Sequence, residues 1–310
     1  MRIGHSVMNS RVNLWPPALR VAFFMVLAIP VYFTTGASSV SAATTWKVQV
    51  QPIRVVNGSP VLFTVWVPEA VRSLQGTWLK HQIIFRNDSA CRCWYAMAGV
   101  DLATKPGPYS LELERTFADG TKTAFSYSVQ IGEAQYPSTT IKVAPQYVEP
   151  PKETVPRIED EQTLKKKIFS ETSPDSVWTG SFEPPAAAQV SGVFGSARVF
   201  NGVKRNQHTG LDFRVHSGTP IHASNAGTVI LARNLYFEGN CVAVDHGQGL
   251  ITLYLHLSKF EVKEGDKVSR GQLLGLSGGT GRATAPHLHF AVRWQGSYLN
   301  PAVLLKLSPP

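Results

Sequence analysis

The sequence predicts an all-β protein, on three observations. Alternating or β-branched apolar runs recur along the chain, Gly, Pro or Asn turns close them, and one short charged segment carries a helical period. The 310 residues suit two domains rather than one, and a hydrophobic content of 43% is enough for a real core.

Residues 1–42 stand apart from the fold. Arg2, Arg11 and Arg20 precede an apolar run of thirteen residues, Val21–Phe33, and Val40-Ser41-Ala42 makes a small–x–small exit. This is the pattern of a signal peptide cleaved after Ala42, which predicts export to the periplasm or cell envelope. The competing reading is an uncleaved anchor, for which thirteen apolar residues fall short of the roughly 20 that span a bilayer. Membrane association is expected only with that segment retained.

Residues 43–143 read as a β-sandwich. Trp46-Lys47-Val48-Gln49-Val50 alternates, and Val61–Val67 is strongly β-prone. Ile83–Phe85, Tyr109–Leu113 and Ala124–Val129 follow, separated by turn signals at Asn57-Gly58, Lys105–Pro108 and Asp119-Gly120. Short strands at this spacing predict an immunoglobulin-like sandwich. His81, alone there, reads as a surface or hydrogen-bonded structural residue. Cys91 and Cys93 lie two apart and are open to pairing, metal binding or simple burial, whereas Cys241 sits in an apolar strand pattern and reads as buried.

Residues 144–188 form a linker. Pro145, Pro150, Pro151 and Pro156 keep its start extended, and Ile158–Phe169 has the period of a short helix with Leu164 and Ile168 on one face. The Lys165-Lys166-Lys167 run reads as a solvated face.

Residues 189–310 return to strands and Gly-rich turns: Gly192–Phe194, Gly210–Arg214, Gly227–Ala232, Cys241–Asp245, Ile251–His256 and Leu288–Trp294. Tight turns around Asn225-Ala226-Gly227 and Gly265-Asp266 predict a barrel-sandwich hybrid.

The formal charge is +9. Residues 1–42 hold three Arg and no acid, which leaves a balance of +6 beyond them. A modest positive balance suits work beside anionic polymers such as cell-wall glycans, and suits plain solubility equally. No basic run is interleaved with aromatics, so nucleic acid is not an expected partner.

Seven of the nine histidines fall between 208 and 289. In His208-Thr209-Gly210-Leu211-Asp212, an offset of four places both polar ends on one strand face, and a bend at Gly210 would bring them onto one ion. In His287-Leu288-His289, the two imidazoles point the same way and Leu288 turns to the core. In Thr252–His256, Leu253 and Leu255 are expected to face the core, with Tyr254 and His256 opposite. Imidazole and carboxylate are both zinc ligands, and three of them plus a water make an open catalytic site. There is no His-Glu-x-x-His helix, so a glutamate base is not indicated.

These motifs resemble the lysostaphin or LytM-type zinc endopeptidases. The matching text is His208–Phe213, Asp245-His246-Gly247, Tyr254–Leu257, Gly265-Asp266 with Gly271-Gln272, Gly278–Gly281 and Pro286–Phe290, over a third of the chain. The resemblance implies one Zn²⁺ held by His208, Asp212 and His289. It implies that His256 and His287 act on the water and the transition state, and that the substrates are peptides of peptidoglycan crosslinks or stems. A non-catalytic LytM-type regulator of separate wall amidases is the alternative, opposed by the presence of all five polar positions. A lipoyl- or biotinyl-type carrier is a third reading, but no Lys occupies the Asn225-Ala226-Gly227 turn. His216 and His222 read as surface residues, His246 as a structural hydrogen bonder, Asn225 and Arg282 as candidate substrate contacts, and Tyr254 as part of the cleft wall or of the core.

Overall fold

The structure, a computed structural model, describes residues 46–171, 173–202 and 204–310. The signal-peptide expectation for 1–42 lies outside the described residues. The described chain is mostly β, as expected.

Alternation along the N-terminal strands separates an inner from an outer face, and two sheets share the resulting core. One runs Lys47–Gln51, Pro60–Trp66, Cys93–Gly99, Arg86–Asp88 in spatial order. The other runs Val55–Val56, Lys122–Gly132, Gly107–Thr116, Ser73–Trp78, His81–Ile84. Phe63 meets Trp78 edge to face at 5.2 Å between them, and the Trp78 indole N–H donates to the Gly99 carbonyl at 2.9 Å. Each of the five runs singled out in the sequence overlaps a strand, with Tyr109–Leu113 and Ala124–Val129 forming the middles of longer ones and Phe85 lying just past His81–Ile84. Ser73–Trp78 and Cys93–Gly99 escape that pattern: Gly76 dilutes the first and alanines the second, so pairing and burial override weak propensity. Cys91 and Cys93 are joined in a disulfide, and Cys241 is a buried free thiol.

Pro156 opens the helix Val155–Ser170, where its missing N–H is harmless. The helix buries Ile158 and packs Ile168 and Phe169 on a small cluster that includes Leu231, Cys241 and Leu253. Beyond it, Trp178 and Phe182 continue an aromatic run from Tyr95 to His246, at ring separations of 5.7, 5.8 and 5.2 Å. Trp178 and Phe182 are buried in the same core cluster as both N-terminal sheets and the C-terminal sheet.

Ten C-terminal strands make one branched sheet. Its central neighbours are Gly210–Phe213, Leu288–Trp294, Leu250–Phe260 and Gly239–Asp245, paired antiparallel. Of the expected Gly192–Phe194 strand, only the end of Val190–Gly192 is extended; Phe194 lies in a turn, buried against Tyr136. Ser138–Ile141 leaves the N-terminal sheets and lies parallel to Ala197–Phe200, which pairs antiparallel with Lys204–Gln207. This three-stranded ribbon stands beside the histidine cluster. Among the described residues no helix is long and apolar enough to cross a membrane.

Candidate metal centre

The ladder between Gly210–Phe213 and Leu288–Trp294 sets Asp212 directly opposite His289. Directly opposed residues share a sheet face, so backbone pairing alone brings these two donors together. Leu288 alternates to the other side and is fully buried, as its position between two histidines predicts. At Gly210 the two strands leave no room for a side chain: a Cβ there would stand 2.4 Å from the Phe290 carbonyl oxygen. His208 precedes the strand and is tied down twice. Its N–H donates to the Ser196 carbonyl at 2.9 Å, and its Nδ1 donates to the Val193 carbonyl at 2.8 Å, which leaves Nε2 free for a ligand.

The three donor atoms form a nearly equilateral triangle. His208 Nε2 lies 3.0 Å from Asp212 Oδ1 and 2.9 Å from His289 Nδ1, and His289 Nδ1 lies 2.9 Å from Asp212 Oδ1. Ligands about 2.0–2.1 Å from a tetrahedral zinc would sit roughly 3.3 Å apart, so this buried two-imidazole, one-carboxylate set fits one zinc ion with little adjustment. Burial opposes ionisation of Asp212, but the hydrogen bonds and charges of His208 and His289 hold its carboxyl well below the usual range. Burial pushes His289 down to about 4 despite Asp212 beside it, which favours the neutral imidazole that a metal requires.

Asp212 uses its second oxygen elsewhere. The Arg198 guanidinium, from the ribbon strand Ala197–Phe200, pairs with Oδ2. Gly192 makes room for this contact, because a Cβ there would fall 2.3 Å from Oδ2. Arg198 was not among the sequence candidates. It is no metal ligand and sits in an ordinary strand pattern, so no local signal marks it.

His256 corrects the sequence reading of its strand. Regular alternation would put it with Tyr254, away from Leu253 and Leu255. Instead Leu255 pairs opposite His289, and Leu253, Leu255 and His256 all line the cleft, while Tyr254 is buried in the core against Phe290. The reason is a backbone reversal: His256 has φ +65°, in the left-handed region. Its N–H donates to the Glu238 carbonyl at 3.0 Å, and its Nδ1 donates to the Thr280 carbonyl at 2.8 Å. His287 donates from Nδ1 to the Ala285 carbonyl at 2.8 Å, with Nε2 3.7 Å from Asp212 Oδ1. The two rings lie 4.8 Å apart, each with Nε2 unpaired by these bonds. Burial, then the nearby His287 and His289, push His256 down to about 3.

All five predicted residues therefore line one cavity of about 190 Å³. Arg282 lines it too, its guanidinium 4.8 Å from the Phe200 ring and 4.9 Å from the Phe237 ring. Asn225 does not: it is buried, and its amide holds the Thr179 and Ser181 carbonyls. His246 is a structural hydrogen bonder, bound to the Ala226 carbonyl and the Thr252 hydroxyl, and His216 is exposed.

The family model for peptidase family M23 matches residues 206–301. The peptidoglycan DD-endopeptidase ShyA of Vibrio cholerae is 41% identical over 136 residues, 44% of this chain and 29% of ShyA. The glycyl-glycine endopeptidase ALE-1 of Staphylococcus capitis is 43% identical over 101 residues, 32% of this chain and 28% of that protein. The chain thus spans under a third of the length of these curated relatives. A crystal structure of a peptidase M23 from Pseudomonas aeruginosa is similar over 81% of this chain and 95% of its own, at 32% identity and a TM-score of 0.62. On this match and the donor set, the chain belongs to peptidase family M23.

Proposed function

We propose that the protein is an exported zinc metalloendopeptidase that hydrolyses peptide bonds in peptidoglycan crosslinks or stems. The observation that carries this reading is the convergence of His208, Asp212 and His289 on one point, with His256 and His287 presenting free Nε2 atoms beside it. The endopeptidase names of the aligned relatives support the reaction class, and those relatives support the cell envelope as its place.

His208, Asp212 and His289 would hold the metal. A zinc ion there supplies Lewis acidity and an acidified water near neutral pH. The residues around it supply the proton path. With Nδ1–H of His256 and His287 committed to carbonyls, each ring is held as the tautomer whose Nε2 accepts a proton. The same Nε2–H then donates to the developing oxyanion or to the leaving amine. His256, buried and neutral, has Nε2 open as the proton acceptor, and either ring donates from Nε2 only after taking up that proton.

The division into 43–143, 144–188 and 189–310, with an immunoglobulin-like first domain, belongs to the same proposal. The strand order supports it: leaving Val55–Val56 aside, the first, second, sixth and fifth strands make one sheet, the third, fourth and last two the other, and Trp78 is buried on the third. Such a domain would position the enzyme on wall or partner.

The direct test is incubation of the purified zinc-loaded protein with peptidoglycan sacculi, followed by mass spectrometry. New peptide ends are expected; unaltered muropeptides would refute the reading. Zinc content of the same preparation separates it from the amidase-regulator alternative, which has no need of the metal.

A further inference from the structure

A second cavity, of about 810 Å³, opens between the helix Val155–Ser170, the Leu288–Trp294 and Ser297–Leu299 hairpin, and the edge strand that begins at His81. Its basic liners are His81, Lys165, Lys166 and Arg293, and it has no Asp or Glu. It shares Lys165 and Tyr298 with the metal cleft, so the two cavities are neighbours along one wall.

Arg293 is the notable group. Its guanidinium lies 4.6 Å from the Phe169 ring and 5.0 Å from the Tyr298 ring, so aromatic surface strips water from its faces. One nitrogen donates to the Gly296 carbonyl at 3.1 Å, but Nε is buried and has no acceptor among the described residues. A guanidinium desolvated without a carboxylate is costly, and an anion in its plane restores charge-assisted hydrogen bonds. Lys166 stands exposed on the helix above it. Lys165 is already paired with Glu238, so Lys166 and Arg293 supply the positive charge that draws anions into this space, while Gln162, Gln248 and Gln295 offer amides suited to a peptide backbone.

We infer that this cavity is a carboxylate-binding exosite for an acidic peptide. Resting on the function proposed above, that peptide is a stem of the polymer cut in the adjoining cleft. The exosite holds a neighbouring part of the strand and raises the local concentration of scissile bonds.

The experiment measures equilibrium binding to uncrosslinked muropeptides released from sacculi by a muramidase. They are used as released and after amidation of their carboxylates, with inorganic phosphate as a separate titrant. The unsubstituted protein is compared with Lys166→Glu and Arg293→Gln; the former lies on an exposed helix face and leaves folding untouched. Each substitution is expected to weaken binding about tenfold, and amidation to do the same. Phosphate should neither bind comparably nor compete, and zinc content should stay unchanged. Full-strength binding by Lys166→Glu, equal binding of amidated ligand, or displacement by phosphate would overturn the exosite. Failure of the proposed hydrolysis is read separately, as carboxylate-dependent binding without cleavage of crosslinked material.

Discussion

His289 stands opposite Asp212 in an antiparallel ladder, and their side chains meet at 2.9 Å on the cleft face. Because register sets this contact, each residue is replaceable without disturbing the strand that carries the other. Asp212→Ala and His289→Ala are therefore expected to remain folded while zinc stoichiometry drops from about one to near zero. Elemental analysis beside circular dichroism checks this, and full zinc retention by either variant would refute the ligand set.

Arg198 would act on a bound metal through Asp212. With Oδ2 paired to the guanidinium, Oδ1 is held toward His208 and His289. Loss of such an outer partner costs about 10–100-fold in metal affinity. Arg198→Ala should release zinc to a chelator at a correspondingly lower concentration, and Arg198→Lys should recover part of the loss. An unchanged chelator titration would remove Arg198 from this role.

Replacing His256 separates proton transfer from metal binding. His256→Gln leaves all three donors in place and removes the Nε2 base beside them. Zinc content is expected to hold while kcat falls by about 10²–10⁴. Parallel loss of zinc would instead mark His256 as part of the ligand shell.

The grouping of the candidate metal residues was legible because its spacing survives as geometry. His-x-His on a strand must project two imidazoles one way, and Leu288 between them must go to the core. Two features were not legible. The left-handed backbone at His256 depends on the Glu238 and Thr280 carbonyls that capture its N–H and Nδ1, which no local spacing announces. Arg198 reaches Asp212 only because Ala197–Phe200 pairs with strands on both sides of it, an arrangement between distant segments. In the N-terminal sheets, likewise, Ala-rich Cys93–Gly99 is a strand because Pro60–Trp66 pairs with it.

His246 makes stability depend on acid. It is buried, and desolvation pushes it down to about 4. The unfolded chain binds its proton near pH 6.5 and the folded one only near 4, so the contribution is complete above 6.5. It is lost progressively as pH falls from 6.5 to 4, for a total of ~3 kcal/mol. Chemical denaturation at pH 7.5 and pH 5 should show this decline, and His246→Gln should make it shallower, the remainder coming from His256 and His289. The same slope in the variant would assign the decline to other groups.

The aromatic run from Tyr95 through Trp178 and Phe182 to His246 has a consequence for how such a protein can be divided. A cut before residue 189 would spare every zinc donor yet strip Trp178 and Phe182 from the back of the catalytic sheet, leaving His246 facing water. A shortened enzyme keeping Trp178–Phe182 but lacking Tyr95 would present a naked indole to its neighbours. Such a fragment invites self-association, so the smallest heritable piece of this molecule is larger than its chemistry alone requires.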